Sequence, residues 1–164
     1  MRPRGSKKVD ASKAADARAV REAAIKHLSR RDFATVELCR RLESYGYDSK
    51  VVATTIAELV LERLVDDARF SANYVAYHAN RGQGPARIGA DLKALGLSSD
   101  LIDDALAASP DWRSRAQAAR SRRFGPELPQ SWPDKSRQAR FLQYRGFSAD
   151  HIRAALGTDF NLDD

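Results

Sequence analysis

The sequence predicts an all-α fold made of three tandem copies of a three-helix unit of about fifty residues. Three observations carry this. A frame of identical or equivalent residues recurs at a spacing of fifty: Leu42, Leu92 and Leu142, each followed four places later by Gly46, Gly96 and Gly146. The composition is rich in Ala, Leu and Arg, which are good helix formers, while aromatics make up only 8%. No run of alternating β-branched residues marks a strand.

Each column of the frame has a physical reading. The leucine is a core residue in the last turns of a helix. The glycine stands where that helix ends, because the residue after a C-terminus adopts a left-handed backbone that glycine takes at least cost. An apolar residue follows (Tyr47, Leu97, Phe147) and can fold back on the helix. Then come Ser49, Ser98 and Ser148, at or one place from the same position and read as caps of the next helix, whose buried stripe is Val52/Ile56, Ile102/Leu106 and Ile152/Leu156. Upstream of each frame lies another helix: 17–31 with Val20, Ala24, Ile25 and Leu28 at helical spacing; 67–81 with Phe70, Tyr74 and Tyr77, capped by Asp66; and 112–124, followed by a loop with Pro126, Pro129 and Pro133. The organisation is thus a basic flexible tail over 1–16, copies at 17–65, 66–109 and 110–157, and a second tail at 158–164.

Several function classes are disfavoured. The single cysteine, Cys39, rules out an internal disulfide or a Cys-rich metal site. His27, His78 and His151 have no partners at metal-ligand spacing and read as packing or surface residues. Asp66 and Asp67 suggest a carboxylate pair, but neighbours on a helix point apart, so capping and dipole stabilisation are the better reading. Asp103 and Asp104 read as solvated. Gly82 and Gly84 lack the strand and Lys-Ser/Thr of a phosphate loop, and with Pro85 they end one helix and start the next; the amides that follow and Arg87 remain a minority phosphate site. No apolar run spans a bilayer and no secretory signal is visible, so a cytoplasmic, monomeric binding protein without catalytic, metal or cofactor residues is expected.

The net charge of +6 sits at the two ends. Residues 1–17 hold five basic against two acidic groups and residues 110–164 ten against seven, whereas 18–67 and 68–109 are balanced. A polyanionic partner, most simply nucleic acid, follows. The candidate contact residues are Arg30, Arg31, Arg81, Arg87, Arg120, Arg122, Arg123, Lys135, Arg137, Arg140 and Arg145, densest in the third copy. The stretch from Arg2 to Lys13 is expected to add non-specific attraction.

These residues resemble a known family, the RecX regulatory proteins of bacteria. "LSRRDFATVELCRRLESYGY" (28–47) resembles its first helix, turn and Glu-Leu helix, "LVDDARFSANYV" (64–75) its Asp-Asp-x-x-Phe segment, "RGQGPARIGADLKALGL" (81–97) its Gly-x-x-Arg-Ile segment, and "RFLQYRGFSADHI" (140–152) its Arg-Gly-Phe third copy. The third copy departs from the pattern, with Arg137 and Gln138 in place of Glu-Leu. The resemblance implies an elongated, curved array. It also implies a negative modulator that lodges on the RecA recombinase filament on single-stranded DNA, limits its extension or activity, and so dampens recombination, repair and the SOS response. The rival reading is a direct DNA-binding helix-turn-helix regulator, each unit having the size of one; Asp100, Asp103 and Asp104 on the corresponding helix would repel phosphates.

Overall fold

The computed structural model describes residues 9–108 and 111–157. Among these, nine α-helices form and no strand does: α1 Ala17–Leu28, α2 Thr35–Ser44 and α3 Ser49–Leu61; α4 Asp67–Asn80, α5 Pro85–Ala94 and α6 Ser99–Ala107; α7 Trp112–Phe124, α8 Trp132–Tyr144 and α9 Ala149–Leu156. No helix among the described residues is long and apolar enough to cross a membrane.

The fifty-residue frame is carried by burial and by backbone conformation. Leu42, Leu92 and Leu142 are each fully buried. Gly46, Gly96 and Gly146 each adopt a left-handed backbone, with φ of +98°, +92° and +92°, where an L-residue would bring its Cβ against its own carbonyl. Ser98 and Ser148 cap α6 and α9 by accepting from the amides of Leu101 and His151. The first copy differs: Asp48 is the cap, accepting from Lys50 and Val51 N–H at 3.0 and 3.1 Å, and Ser49 is the first helical residue. A carboxylate one place earlier does the same work with a full negative charge at the helix N-terminus.

Two further expectations are corrected. Residues 9–16 are not a loose tail: Val9 N–H donates to Tyr45 O (2.8 Å), Asp10 caps a 3-10 turn over Ala11–Lys13, and Asp48 N–H donates to Ala14 O (2.8 Å). These bonds give the segment partners that an unstructured tail lacks. Residues 1–8, with Arg2 and Arg4, and the second tail at 158–164 lie outside the described residues. Ile25 and Tyr77, which share helical spacing with core residues, turn outwards, at 38% and 58% exposure.

The chain divides into two compact units that do not coincide with the copies. One runs to Phe70 and includes Leu95–Leu97; the other comprises Ser71–Ala94 and the residues from Ser98 on. The first has a core of Val20, Leu38, Leu42, Val52, Ile56 and Leu59, closed by Phe33 and Val65. The second has a core built on Ala116, Ala139, Leu142, Phe147, Ile152 and Leu156.

Each unit is closed by a contact between sequence-distant turns. In the first, the two aspartates preceding and opening α4 divide their work. Asp66 caps its own helix through Arg69 N–H (2.9 Å). Asp67 reaches back thirty-two residues to accept from both the amide (2.7 Å) and the hydroxyl (3.0 Å) of Thr35. This supplies the cap that α2 lacks locally, since Ala34 stands at its N-cap position. Asp67→Ala is therefore expected to cost about 1–3 kcal/mol, and Asp67→Asn distinctly less, in urea unfolding followed by circular dichroism. Equal loss in both variants would show that the carboxylate acts through something other than capping.

In the second unit the glycine turn of the third copy seats on the start of α5. Gly84 N–H donates to Arg145 O (2.8 Å) and Ala86 N–H to Gly146 O (3.1 Å). The backbones approach so closely that a Cβ on Gly84 would lie 2.4 Å from the Gly146 carbonyl, and one on Gly146 would lie 2.5 Å from Arg87 Cβ. Gly96 relates to Val36 in the same way within the first unit, at 2.6 Å, whereas nothing approaches a Cβ on Gly46 within 4 Å.

Candidate polyanion-binding site

The second unit gathers three helix C-termini, each ending in or just past an arginine. Arg81 follows α4, Arg122 and Arg123 lie in the last turn of α7, and Arg145 is the C-cap of α8. Unpaired carbonyls give a helix C-terminus a partial negative charge, so cations are favoured there. The close approach of α4 to α7, with a Cβ on Gly82 placed 3.4 Å from Ala119 Cβ, brings these ends together. The result is a pocket of about 130 Å³ lined by Arg81, Arg122, Arg123 and Arg145 with Gly82, Ala119 and Phe141. No carboxylate is among the lining residues.

Aromatic rings and carbonyls hold the guanidinium groups apart. Arg81 lies over Tyr77, 5.4 Å from its centroid, and donates to its hydroxyl at 3.2 Å. Arg145 lies over Phe141 (5.3 Å) and donates to Arg81 O (3.5 Å). Arg122 donates to Asn80 O (3.3 Å), and Arg123 lies over Phe124 (5.9 Å), which meets Phe141 edge-on. Cations placed against π-faces and helix ends keep their charge and most of their donors. Such a pocket suits an anion with several acceptor oxygens, a phosphate above all.

Four of the eleven arginines and lysines expected to contact a partner thus converge. The others do not. Arg120 requires correction, since it is 3% exposed and donates to Glu127 O (2.8 Å), Pro126 O (2.9 Å) and Ser121 Oγ (3.0 Å). It pins the proline-rich loop and is not available to a partner. Arg31 is held by Glu37 in a two-pronged ion pair and sits 3.6 Å above the Phe33 ring. Arg137 pairs with Asp134 at 3.1 Å. Arg87 lies over Tyr144 (5.6 Å), and the amides of Gly84 and Ala86 already serve the Arg145–Gly146 turn, so the minority phosphate site at Gly82–Gly84 is corrected too. Arg140 is exposed and Lys135 half-buried on α8, and Arg30 lies in the first unit.

Sequence reasoning missed the exposed aromatics beside the arginines, Tyr77 at 58% and Tyr144 at 79%. A signal was present: Tyr77 precedes Arg81 by one helical turn, the spacing at which side chains stack. His78 and His151 take packing and capping roles. His78 stacks on Tyr74 with centroids 4.0 Å apart. His151 Nδ1 accepts from Ser148 N–H at 3.2 Å, completing a capping box, and burial lowers its pKa. Among the described residues no cluster of His, Cys, Asp and Glu suits a metal ion.

Known proteins share this architecture and sequence. Residues 66–106 match the family model of the second three-helix domain of RecX, and residues 112–156 that of the third. A regulatory protein RecX of Halorhodospira halophila is 42% identical, covering 84% of this chain and 86% of its own. One from Pseudomonas fluorescens is 38% identical, covering 84% and 90%. The crystal structure of RecX from Lactobacillus salivarius superposes with a TM-score of 0.74 at 22% identity, covering 85% of this chain and 94% of its own, a likeness of fold. The frame of buried leucines and left-handed glycines, the paired aspartates at the start of α4 and these matches place the chain in the RecX family of regulatory proteins.

Proposed function

We propose that this protein is a negative regulator of the RecA recombinase: it binds the RecA filament on single-stranded DNA in the cytoplasm and limits its extension or activity. It acts as a binding protein rather than a catalyst. The observation that carries this reading is the pocket of Arg81, Arg122, Arg123 and Arg145, four guanidinium groups without a carboxylate among the lining residues, in a chain whose relatives are named regulatory proteins. A nucleoprotein filament presents phosphates and acidic side chains that such a pocket fits. The test is to add the purified chain to RecA on single-stranded DNA at stoichiometric amounts and to follow ATP hydrolysis and strand exchange. Both should fall; unchanged rates would sink the proposal.

The aromatic neighbours support contact with the single strand itself. Bases stack on exposed rings whatever their identity, each stack being worth about 1–3 kcal/mol. Replacing Tyr77 and Tyr144 together by alanine is expected to weaken binding to oligothymidylate about tenfold or more while leaving duplex affinity nearly unchanged. Equal losses on both would mean that the rings do not stack on bases. Direct reading of duplex DNA is the weaker alternative, because Asp100, Asp103 and Asp104 of α6 and Asp150 of α9 are exposed on the helices that would enter a groove.

A further inference from the structure

The corner where a copy's first helix ends beside its glycine turn is basic in both units. In the second unit Arg122, Arg123 and Arg145 form it. In the first, Lys26 and His27 in the last turn of α1, and Arg30 just after it, face Tyr45 at the C-cap of α2. Tyr45 holds the repeat position of Arg145, one hundred residues earlier. Together with Val9 and Tyr47, these residues line a pocket of about 260 Å³ without a carboxylate in its wall. Val9 is fixed there by its bond to Tyr45 O.

The pocket wall around His27 carries cations and no carboxylate, with Glu37 standing behind it in its ion pair with Arg31. Its ring stacks on Tyr45 (centroids 5.6 Å apart, 11° between planes) and meets Phe33 edge-on. The charged groups acting on it are Lys26 from α1, Arg30 and Arg31 from the following turn, and Arg41 from α2; Val9, Tyr45 and Tyr47 complete the wall without charge. Partial burial first, and then these four cations, hold its pKa below the ordinary 6.5. Cations interleaved with aromatic rings are the pattern of grooves that hold single-stranded nucleic acid.

We infer that Lys26, His27 and Arg30 form a second phosphate site for single-stranded nucleic acid, one whose affinity depends on pH. This goes beyond the proposed action on RecA and does not need it. A phosphodiester in the pocket offsets the neighbouring cations and favours the imidazolium, so binding takes up a proton and tightens as pH falls. In the free protein the sign is opposite: the depressed His27 contributes stability that is full above its unfolded pKa and is lost as pH falls through it.

The test uses the full chain and a fluorescent oligothymidylate, whose phosphodiesters keep their charge across the range, at pH 7.5 and 6.0 and constant ionic strength. Affinity should rise several-fold at pH 6.0, and His27→Gln should abolish that rise. Nuclear magnetic resonance should show the His27 midpoint moving up with saturating oligomer. A stationary midpoint, absent oligomer binding, or the same pH slope in His27→Gln would overturn the site. So would a midpoint moved by polyglutamate and not by oligothymidylate, which would point to an acidic protein segment. Should His27→Gln fail to fold, the exposed Arg30→Ala variant carries the same readout, with a smaller midpoint shift expected. A moving midpoint with unchanged RecA activity would leave this site standing and remove the filament reading.

Discussion

Gly84→Ala should destabilise the chain by about 3 kcal/mol or more, well beyond an ordinary glycine-to-alanine change. The added methyl carbon would sit 2.4 Å from the carbonyl carbon and oxygen of Gly146 and 2.5 Å from Phe147 N. These are backbone atoms of a hydrogen-bonded turn and cannot rotate away as a side-chain end could. Relief requires the turn to lift, which breaks the bonds from Gly84 N–H and Ala86 N–H. For a chain of this length a loss of that size lowers the melting temperature by on the order of 10 °C. Gly46→Ala is the control. It meets only the left-handed backbone, with open space around its Cβ, so its cost should stay near the ~1–2 kcal/mol of an L-residue in that conformation. Similar melting temperatures for the two variants would show that the seating of the turn contributes little.

Removing the charge of the arginine pocket should have the largest effect on binding. For a single strand each neutralised phosphate contributes about 0.7 to the slope of log affinity against log salt. Replacing Arg81, Arg122, Arg123 and Arg145 by alanine should therefore lower that slope by about 3 and weaken binding to oligothymidylate by two orders of magnitude or more near 0.1 M salt. Glutamate at Arg122 and Arg145 alone should approach the same loss, since like charge then faces the phosphates. Melting temperature should move little, because the hydrogen bonds of these side chains are exposed, at 3.2 Å to the Tyr77 hydroxyl and 3.3 and 3.5 Å to carbonyls, and their other contacts are with aromatic rings. An unchanged salt slope would place the polyanion elsewhere on the molecule.

What was legible in the sequence is what local chemistry dictates. The glycines at positions 46, 96 and 146 declare themselves because a left-handed residue ends a helix whatever surrounds it. Asp66 could be read as a cap because the amide that donates to it lies three residues on. Asp67 could not, since the amide it serves is thirty-two residues back. The arginine-rich third copy announced a positive face, but its members looked alike. Arg120 stands between Ala119 and Ser121 on a helix dense in arginine, and only the fold shows that it turns inward to carbonyls of a loop rich in proline, a residue without an amide hydrogen to donate. Arg81 gave the reverse problem: more than forty residues from Arg122 and Arg145, it joins them only because α4 ends against α7.

The seating of the glycine turns also bears on how such a chain can be cut or rearranged. A fragment ending at residue 65 keeps all three helices of the first copy yet loses the carboxylate of Asp67 at the head of α2, along with Phe70 and Leu95–Leu97, which belong to the same compact unit. The sequence period is therefore not a cassette. Excising or transplanting one copy leaves an uncapped helix on one side and an unfilled backbone notch on the other, and a self-sufficient piece of the first unit has to carry its neighbour's turn with it.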